Sequence, residues 1–267
     1  MPAMKTVIAI MVLMGTALAS LAHADALDAY RHGDYRQAIV LGQSEATAPA
    51  LVLVARSYLA LVDTSQSRNQ KADIKAALTA ARAATELDDD NIEAHLLQVA
   101  ALGFLGRGMG KFKSFRKGLA SKSHKQIKQA LSLAPGSAWP YAMLGMWHLE
   151  IIRRGGAFGA RMTGANTKDG AEACAYAVDA APHDGALAAL CGLALLAIGK
   201  QNLEAQARAC LTRARDTGLA QTAYDMVLQS RAGEILSLWD QHGLDSARRR
   251  AVFYESDIGH NRKSARG

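Results

Sequence analysis

Cysteine, proline and aromatic side chains are all scarce in this 267-residue chain, with three Cys, five Pro, five Phe, three Trp and seven Tyr. So few cysteines exclude a disulfide-dense scaffold. Five prolines exclude an extended proline-rich chain, and a 6% aromatic share is too little for an aromatic-rich core. After the N-terminal segment no apolar run is long enough to span a bilayer. Catalytic signatures are missing as well. There is no His-Glu-x-x-His, Cys-x-x-Cys, Gly-x-Ser-x-Gly or dinucleotide fingerprint. His32, His95, His124, His148, His183, His242 and His260 stand at no metal-ligand spacing. The acidic run over residues 86–90 lacks the alternation and glycine of a calcium loop. The sequence therefore predicts no enzyme, no cofactor and no metal.

What is present is alanine-rich and half hydrophobic, with 21% charged residues and a mean hydropathy of −0.01. Those values exclude a disordered or polytopic chain and fit one domain or a short array of helical repeats. The chain opens with Lys5, a short apolar stretch and Ala22-His23-Ala24, which is the signal-peptide pattern with small residues at the cut. Cleavage is expected after Ala24, giving an exported, periplasmic product; the competing reading is an uncleaved anchor. Cys174, Cys191 and Cys210 sit in apolar, helix-like surroundings and are expected as buried thiols. If a bridge forms, Cys174–Cys191 is the first pair to consider.

Three segments share one design: Ala84-x-x-Leu87-x-Asp89, Ala130-x-x-Leu133-x-Pro135 and Ala177-x-x-Ala180-x-Pro182. Each reads as a helix end followed by a loop and a new apolar helix, beginning near His95, Tyr141 and Ala188. The unit Tyr141-x-x-Leu144-Gly145-x-x-His148, with Gly170-x-x-x-Cys174-x-x-Ala177-x-x-x-x-Pro182, resembles the two helices of the tetratricopeptide repeat. An earlier unit offers Leu51-x-x-Val54-Ala55-x-x-Tyr58 and Ala77-x-x-x-Ala81-x-x-Ala84, and a partial first unit contains Gly33-Asp34-Tyr35. Small residues are needed where two helices cross closely, and proline ends the second helix because it cannot extend the ladder. The spacing departs from the family. Asp89 to Pro135 is 46 residues and Pro135 to Pro182 is 47, which also allows HEAT-like repeats. The surplus falls between the helices of each unit, over residues 63–71, 106–118 and 155–167. The last of these stretches reads as a long loop packed between the helices bearing Trp147 and Cys174. Residues 147–165 look like a group of exported bacterial tetratricopeptide proteins, with a more distant likeness to the regulator of microtubule dynamics family, which supplies no catalytic residues.

The resemblance implies an all-α, TPR-like α-solenoid of about four to five helical hairpins with C-terminal capping helices. The expected layout is a signal peptide over 1–24, the repeat domain over 25–218, capping helices over 219–255 and a flexible tail over 256–267. Two helices are predicted in the capping region, over 225–241 and 244–254, the first with an apolar stripe of Val227, Ile235, Leu236 and Trp239.

The net charge of +7 is unevenly placed. Residues 96–168 hold 12 Lys/Arg and one acid, Glu150, whereas the flanking parts are slightly acidic. Lys111, Lys113, Arg116 and Lys117 interleave with Met109, Phe112 and Phe115, and Lys122, Lys125 and Lys128 continue along the next helix. This is either a basic, partly apolar patch for an anionic surface, or phenylalanines on the repeat core beside a solvated lysine face. A second cationic stretch joins Arg153, Arg154 and Arg161 to four glycines, without the Gly-Lys-Ser/Thr of a P-loop.

The expected function is a periplasmic scaffold or adaptor that binds a protein or peptide partner without catalysis, with Trp139, Tyr141, Arg153, Arg154 and Arg161 as candidate partner contacts. The alternative is a peripheral envelope protein docking on anionic lipid or cell-wall polymer through Lys111, Lys113, Arg116, Lys117, Lys122, Lys125 and Lys128. Export makes nucleic acid an unexpected partner.

Overall fold

The computed structural model describes residues 23–218 and 220–256. The expected signal segment, apart from its last two residues, and the expected tail, apart from its first, lie outside the described residues. So do the side chains of Lys111 and Phe112. Among the described residues every regular element is helical: α1 (23–31), α2 (Tyr35–Glu45), α3 (Ala48–Asp63), α4 (Gln70–Leu87), α5 (Ile92–Arg107), α6 (Lys111–Arg116), α7 (Leu119–Leu133), α8 (Ala138–Thr163), α9 (Thr167–Ala180), α10 (Gly185–Ala197), α11 (Glu204–Asp216), α12 (Ala223–His242) and α13 (Leu244–Ser256). A short 3₁₀ turn, Gln201–Leu203, precedes α11.

Local sequence explains where the helices begin. Thr47, Asn69, Asn91, Asn166, Asp184 and Thr222 each accept a hydrogen bond from a first-turn backbone N–H that would otherwise lack a partner. Thr222 and Asp225 complete a capping box at the head of α12.

The helices pair as consecutive hairpins: α3 with α4, α5 with α7, α8 with α9, α10 with α11, and α12 with α13. A partial first unit joins α1 to α2 through Ala26, Tyr30, Tyr35 and Ala38. The repeat motif works sterically as its composition suggests. Ala84, Ala130 and Ala177, at equivalent places in three second helices, are fully buried. A Cβ on Gly145 would stand 2.5 Å from Cys174 Sγ and 2.8 Å from the Gly170 carbonyl, so the α8–α9 crossing requires glycine there. The three cysteines are free, buried thiols in the core shared by α8 to α13. Within that core α10 is apolar all round, with ten of its 13 residues buried, which fits a helix enclosed by α8, α9, α11, α12 and α13.

First helices of successive units pack on one another, α3 on α5, α5 on α8 and α8 on α10, while successive second helices pack less closely. The array therefore curves with its first helices on the inside, as a TPR-like α-solenoid does.

Two of the inter-helix insertions carry structure. The second contains α6. The third was expected to be a loop, but α8 runs on through it to Thr163 and bends once, at Gly156, where φ 57° and ψ −148° leave the helical region. Only that glycine breaks the helix. Gly155 and Gly159 stay helical, and Gly159 lets the arm lie against Ile151, whose carbonyl oxygen would be 3.1 Å from an added Cβ. Ala157, Phe158, Ala160, Arg161 and Met162 supply enough helix-forming side chains to continue beyond the bend.

Candidate functional site

The inner face of the solenoid is not empty, because the C-terminal pair α12–α13 lies on it. One side of α12 enters the core through Leu228, Ala232, Ile235 and Leu236, as the expected apolar stripe requires for the last two of these. Its first turn reaches further. Tyr224 packs with the core of the N-terminal units, and the Ala223 Cβ would stand 3.1 Å from a Cβ on Gly33 in the α1–α2 turn. The pair thus spans the array from its last repeat to its first, beyond capping its open end.

Polar contacts fix this arrangement. Asp63, the last residue of α3, accepts from the Tyr224 hydroxyl at 3.0 Å and from Arg231 at 2.5 Å, and its backbone carbonyl accepts a second Arg231 N–H at 2.8 Å. The Arg231 and Asp63 side chains are each 11% exposed. Arg231 also lies over the Tyr254 ring, 4.7 Å from its centroid, which ties α12 to α13. One repeat further along, Arg107 at the end of α5 donates to Glu255 at 2.7 Å. In the next unit Arg153 on α8 donates to the Glu255 carbonyl and to Ser256. Asp63, Arg107 and Arg153 therefore form a row, one from each of three successive first helices, and α12–α13 lies along it.

Glu150 organises the middle of this row. It accepts from Arg153 at 2.5 Å and stands 3.4 Å from Arg107 and 3.7 Å from Arg154. Burial pushes the Glu255 carboxyl above its usual range, with the Arg107 guanidinium pulling it down. Burial likewise raises the Tyr224 hydroxyl well above the ordinary phenol value, reinforced by the Asp63 charge. Both groups are held as structural partners on the inner face.

The sequence-predicted partner contacts do not converge. Arg153 is turned onto Glu150 and α13. Arg154 donates to the carbonyls of Gly106 and Met109, at 2.8 and 3.2 Å, and so fastens the second insertion to α8. Arg161 is exposed on the α8 arm, away from both. Trp139 donates to Asp184 at 2.8 Å, the residue that caps α10, and Tyr141 packs on Tyr176, with centroids 4.2 Å apart. Trp139 also lines a cavity of about 410 Å³ with His183, Gln221, Asp225 and Gln229, between the head of α8, the α9–α10 turn and α12.

Among the basic residues, Lys113, Arg116 and Lys117 are exposed on and just after α6, and Lys122, Lys125 and Lys128 are exposed along α7. Lys111 has its side chain outside the description. Phe115 is not part of the repeat core: it is 45% exposed and makes an edge contact with Phe158 of the α8 arm, at 5.5 Å between centroids. Sequence reasoning passed over Asp63, Arg107, Tyr224, Arg231 and Glu255. The one available signal was Glu150, the lone acid in a basic stretch.

Among the described residues no group of three or more His, Cys, Asp or Glu side chains could hold a metal ion, and no helix is long and apolar enough to cross a membrane.

A family model described as regulator of microtubule dynamics protein 1-3 matches residues 21–155, just over half of the chain. The match takes in Asp63, Arg107, Glu150 and Arg153, and stops before the α8 arm and α12–α13. A likeness to that family, read above from residues 147–165, is thus carried mostly by the units before them. Among solved structures, a thermophilic TPR protein in Thermus thermophilus superposes with a TM-score of 0.59 at 15% identity, covering 82% of this chain and 100% of that one. That likeness establishes the TPR-like fold. No curated protein matches the sequence.

Proposed function

The chain belongs to the regulator of microtubule dynamics protein 1-3 family, and from that premise we propose that it is a TPR-like scaffold, exported to the periplasm, that binds a protein partner on its inner face and has no catalytic role of its own. The observation that carries this reading is the α12–α13 pair. The curved layer of first helices already holds a pair of helices, through an apolar core and a row of edge side chains at Asp63, Arg107 and Arg153. A surface with that chemistry suits a helical ligand, which is one of the ways secondary structure is recognised in a groove. Lys5, the apolar stretch after it and Ala22-His23-Ala24 support export. The fold supports a scaffold role by analogy.

Crosslinking the tagged chain in its own compartment tests the reading. One bait is the native sequence, and a second carries Asp63→Ala, which loosens the head of α12. We expect both baits to retain the same protein, and the loosened bait to retain several times more of it. No protein enriched over the tag control with either bait would overturn the proposal.

A further inference from the structure

The two structured insertions meet at one edge of the molecule. Arg154 clamps the α5–α6 turn to α8 through the Gly106 and Met109 carbonyls, and this brings Phe115 of α6 against Phe158 of the α8 arm. Three large apolar side chains are left in solvent there: Phe115 at 45%, Phe158 at 58% and Met162 at 51% exposure. Around them stand the exposed cations Lys113, Arg116, Lys117 and Arg161, none with a carboxylate partner among the described residues. The local sequence has no acid to offer them, because Glu150 is committed to Arg153, Arg107 and Arg154.

A solvent-exposed apolar cluster is a binding feature more often than an accident. Here its collar identifies the occupant. Unpaired cations of one sign beside aromatic and thioether side chains match a surface that is anionic at its face and apolar just beneath it. An anionic phospholipid bilayer has that profile, and basic-aromatic segments use it to bind peripherally. We infer that the α6–α8 arm edge docks on an anionic bilayer, with Phe115, Phe158 and Met162 entering the headgroup–acyl boundary and Lys113, Arg116, Lys117 and Arg161 lying at lipid phosphates. This goes beyond the scaffold reading and does not depend on it, since the inner face and this edge are different surfaces.

Vesicle co-flotation of the processed chain, residues 25–267, tests the inference. The vesicles are phosphatidylcholine with or without phosphatidylglycerol. We expect flotation only with phosphatidylglycerol. Lys113→Glu/Arg116→Glu/Lys117→Glu should weaken it more than tenfold, since each cation near an anionic surface contributes about fivefold. Phe115→Ser/Phe158→Ser should weaken it by a similar factor with circular dichroism unchanged, because both side chains are in solvent. Lys122→Glu/Lys125→Glu/Lys128→Glu makes the same charge change on α7, which carries none of the exposed large apolar side chains, and should retain most of the binding. The inference is overturned by absence of flotation, by equal losses from the α6 and α7 variants, or by a phenylalanine variant that floats like the native chain. It is also overturned if the phenylalanine variant instead loses a crosslinked protein partner while vesicles remain unbound.

Discussion

At position 148 the repeat pattern calls for an aromatic side chain, and a histidine fills it. The ring is buried, 7% exposed, edge-on to Trp147 at 5.0 Å between centroids, and Trp147 in turn stacks on His124 at 4.5 Å. The backbone N–H of Asn166, the cap of α9, donates to His148 Nδ1 at 3.2 Å, a bond that needs that nitrogen unprotonated. Burial lowers the basicity of His148, with the Asp169 charge acting the other way. Burial also lowers that of His124, reinforced by Lys128 and by His148 itself. The folded state therefore holds both rings neutral in a pH range where the unfolded chain, titrating near the ordinary histidine value of about 6.5, takes up protons. Stability from these rings is complete above that value and is lost as pH falls from it towards the folded-state values. Urea midpoints should consequently fall between pH 7.5 and pH 5.5. In His148→Asn the amide oxygen can replace Nδ1 as acceptor for Asn166 but cannot titrate. Its midpoint should be lower overall and its decline over the same pH interval shallower. An unchanged slope in this variant would remove His148 from the account.

Among the helices, the α8–α9 crossing is the most sterically determined. Gly145→Ala places a methyl group against Cys174 Sγ, the Gly170 carbonyl and the Cys174 backbone nitrogen, all within 3.0 Å. Two of those three are backbone atoms that cannot swing away. We expect a loss of about 1–3 kcal/mol, as for other overpacked interiors. Gly103→Ala in α5 is the matched control, because a Cβ there meets nothing within 4 Å. It should raise stability by up to about 1 kcal/mol through helix propensity alone. Urea unfolding of both variants with an unchanged denaturant slope measures the contrast, and equal effects of one sign would refute it. The same positions show why the repeat architecture was legible in the sequence. A close crossing excludes side chains, so Leu144-Gly145 and the buried alanines 84, 130 and 177 leave a mark at a fixed spacing. The α8 arm left no such mark. Its glycines read alike as loop residues, although only Gly156 adopts a non-helical conformation, and the difference lies in what Gly159 packs against.

Across the whole molecule, the decisive contacts join residues that no local pattern relates. Asp63 meets Arg231 across 168 positions, and Arg107 meets Glu255 across 148. Helical periodicity identified α12 and α13 and their apolar stripe, but it carries no information about which charge faces which once the array curves back on itself. For that reason Arg153 read as a free anchor and proved to be engaged at the inner face. The closure should nonetheless behave as a unit. Asp63→Ala removes the carboxylate acceptor shared by two donors, leaving the Tyr224 hydroxyl without its acceptor and Arg231 with only the backbone carbonyl of residue 63. Truncating one partner of a mostly buried ion pair costs about 3–5 kcal/mol where the remaining charge is fully enclosed; at 11% exposure the lower end of that range is expected here. The loss should be local in hydrogen exchange: amides of the first turns of α12 should lose protection, while those of α4 and α9 keep theirs. A double-mutant cycle with Arg231→Ala isolates the pair from the general effect of each truncation. A coupling of about 0.5–3 kcal/mol, the range for side chains in one network, would mean that Asp63 holds α12 on the inner face. A coupling indistinguishable from zero would mean that the apolar contacts of Leu228, Ile235 and Leu236 hold the C-terminal pair without it, and that the edge side chains only decorate a closure made by the core.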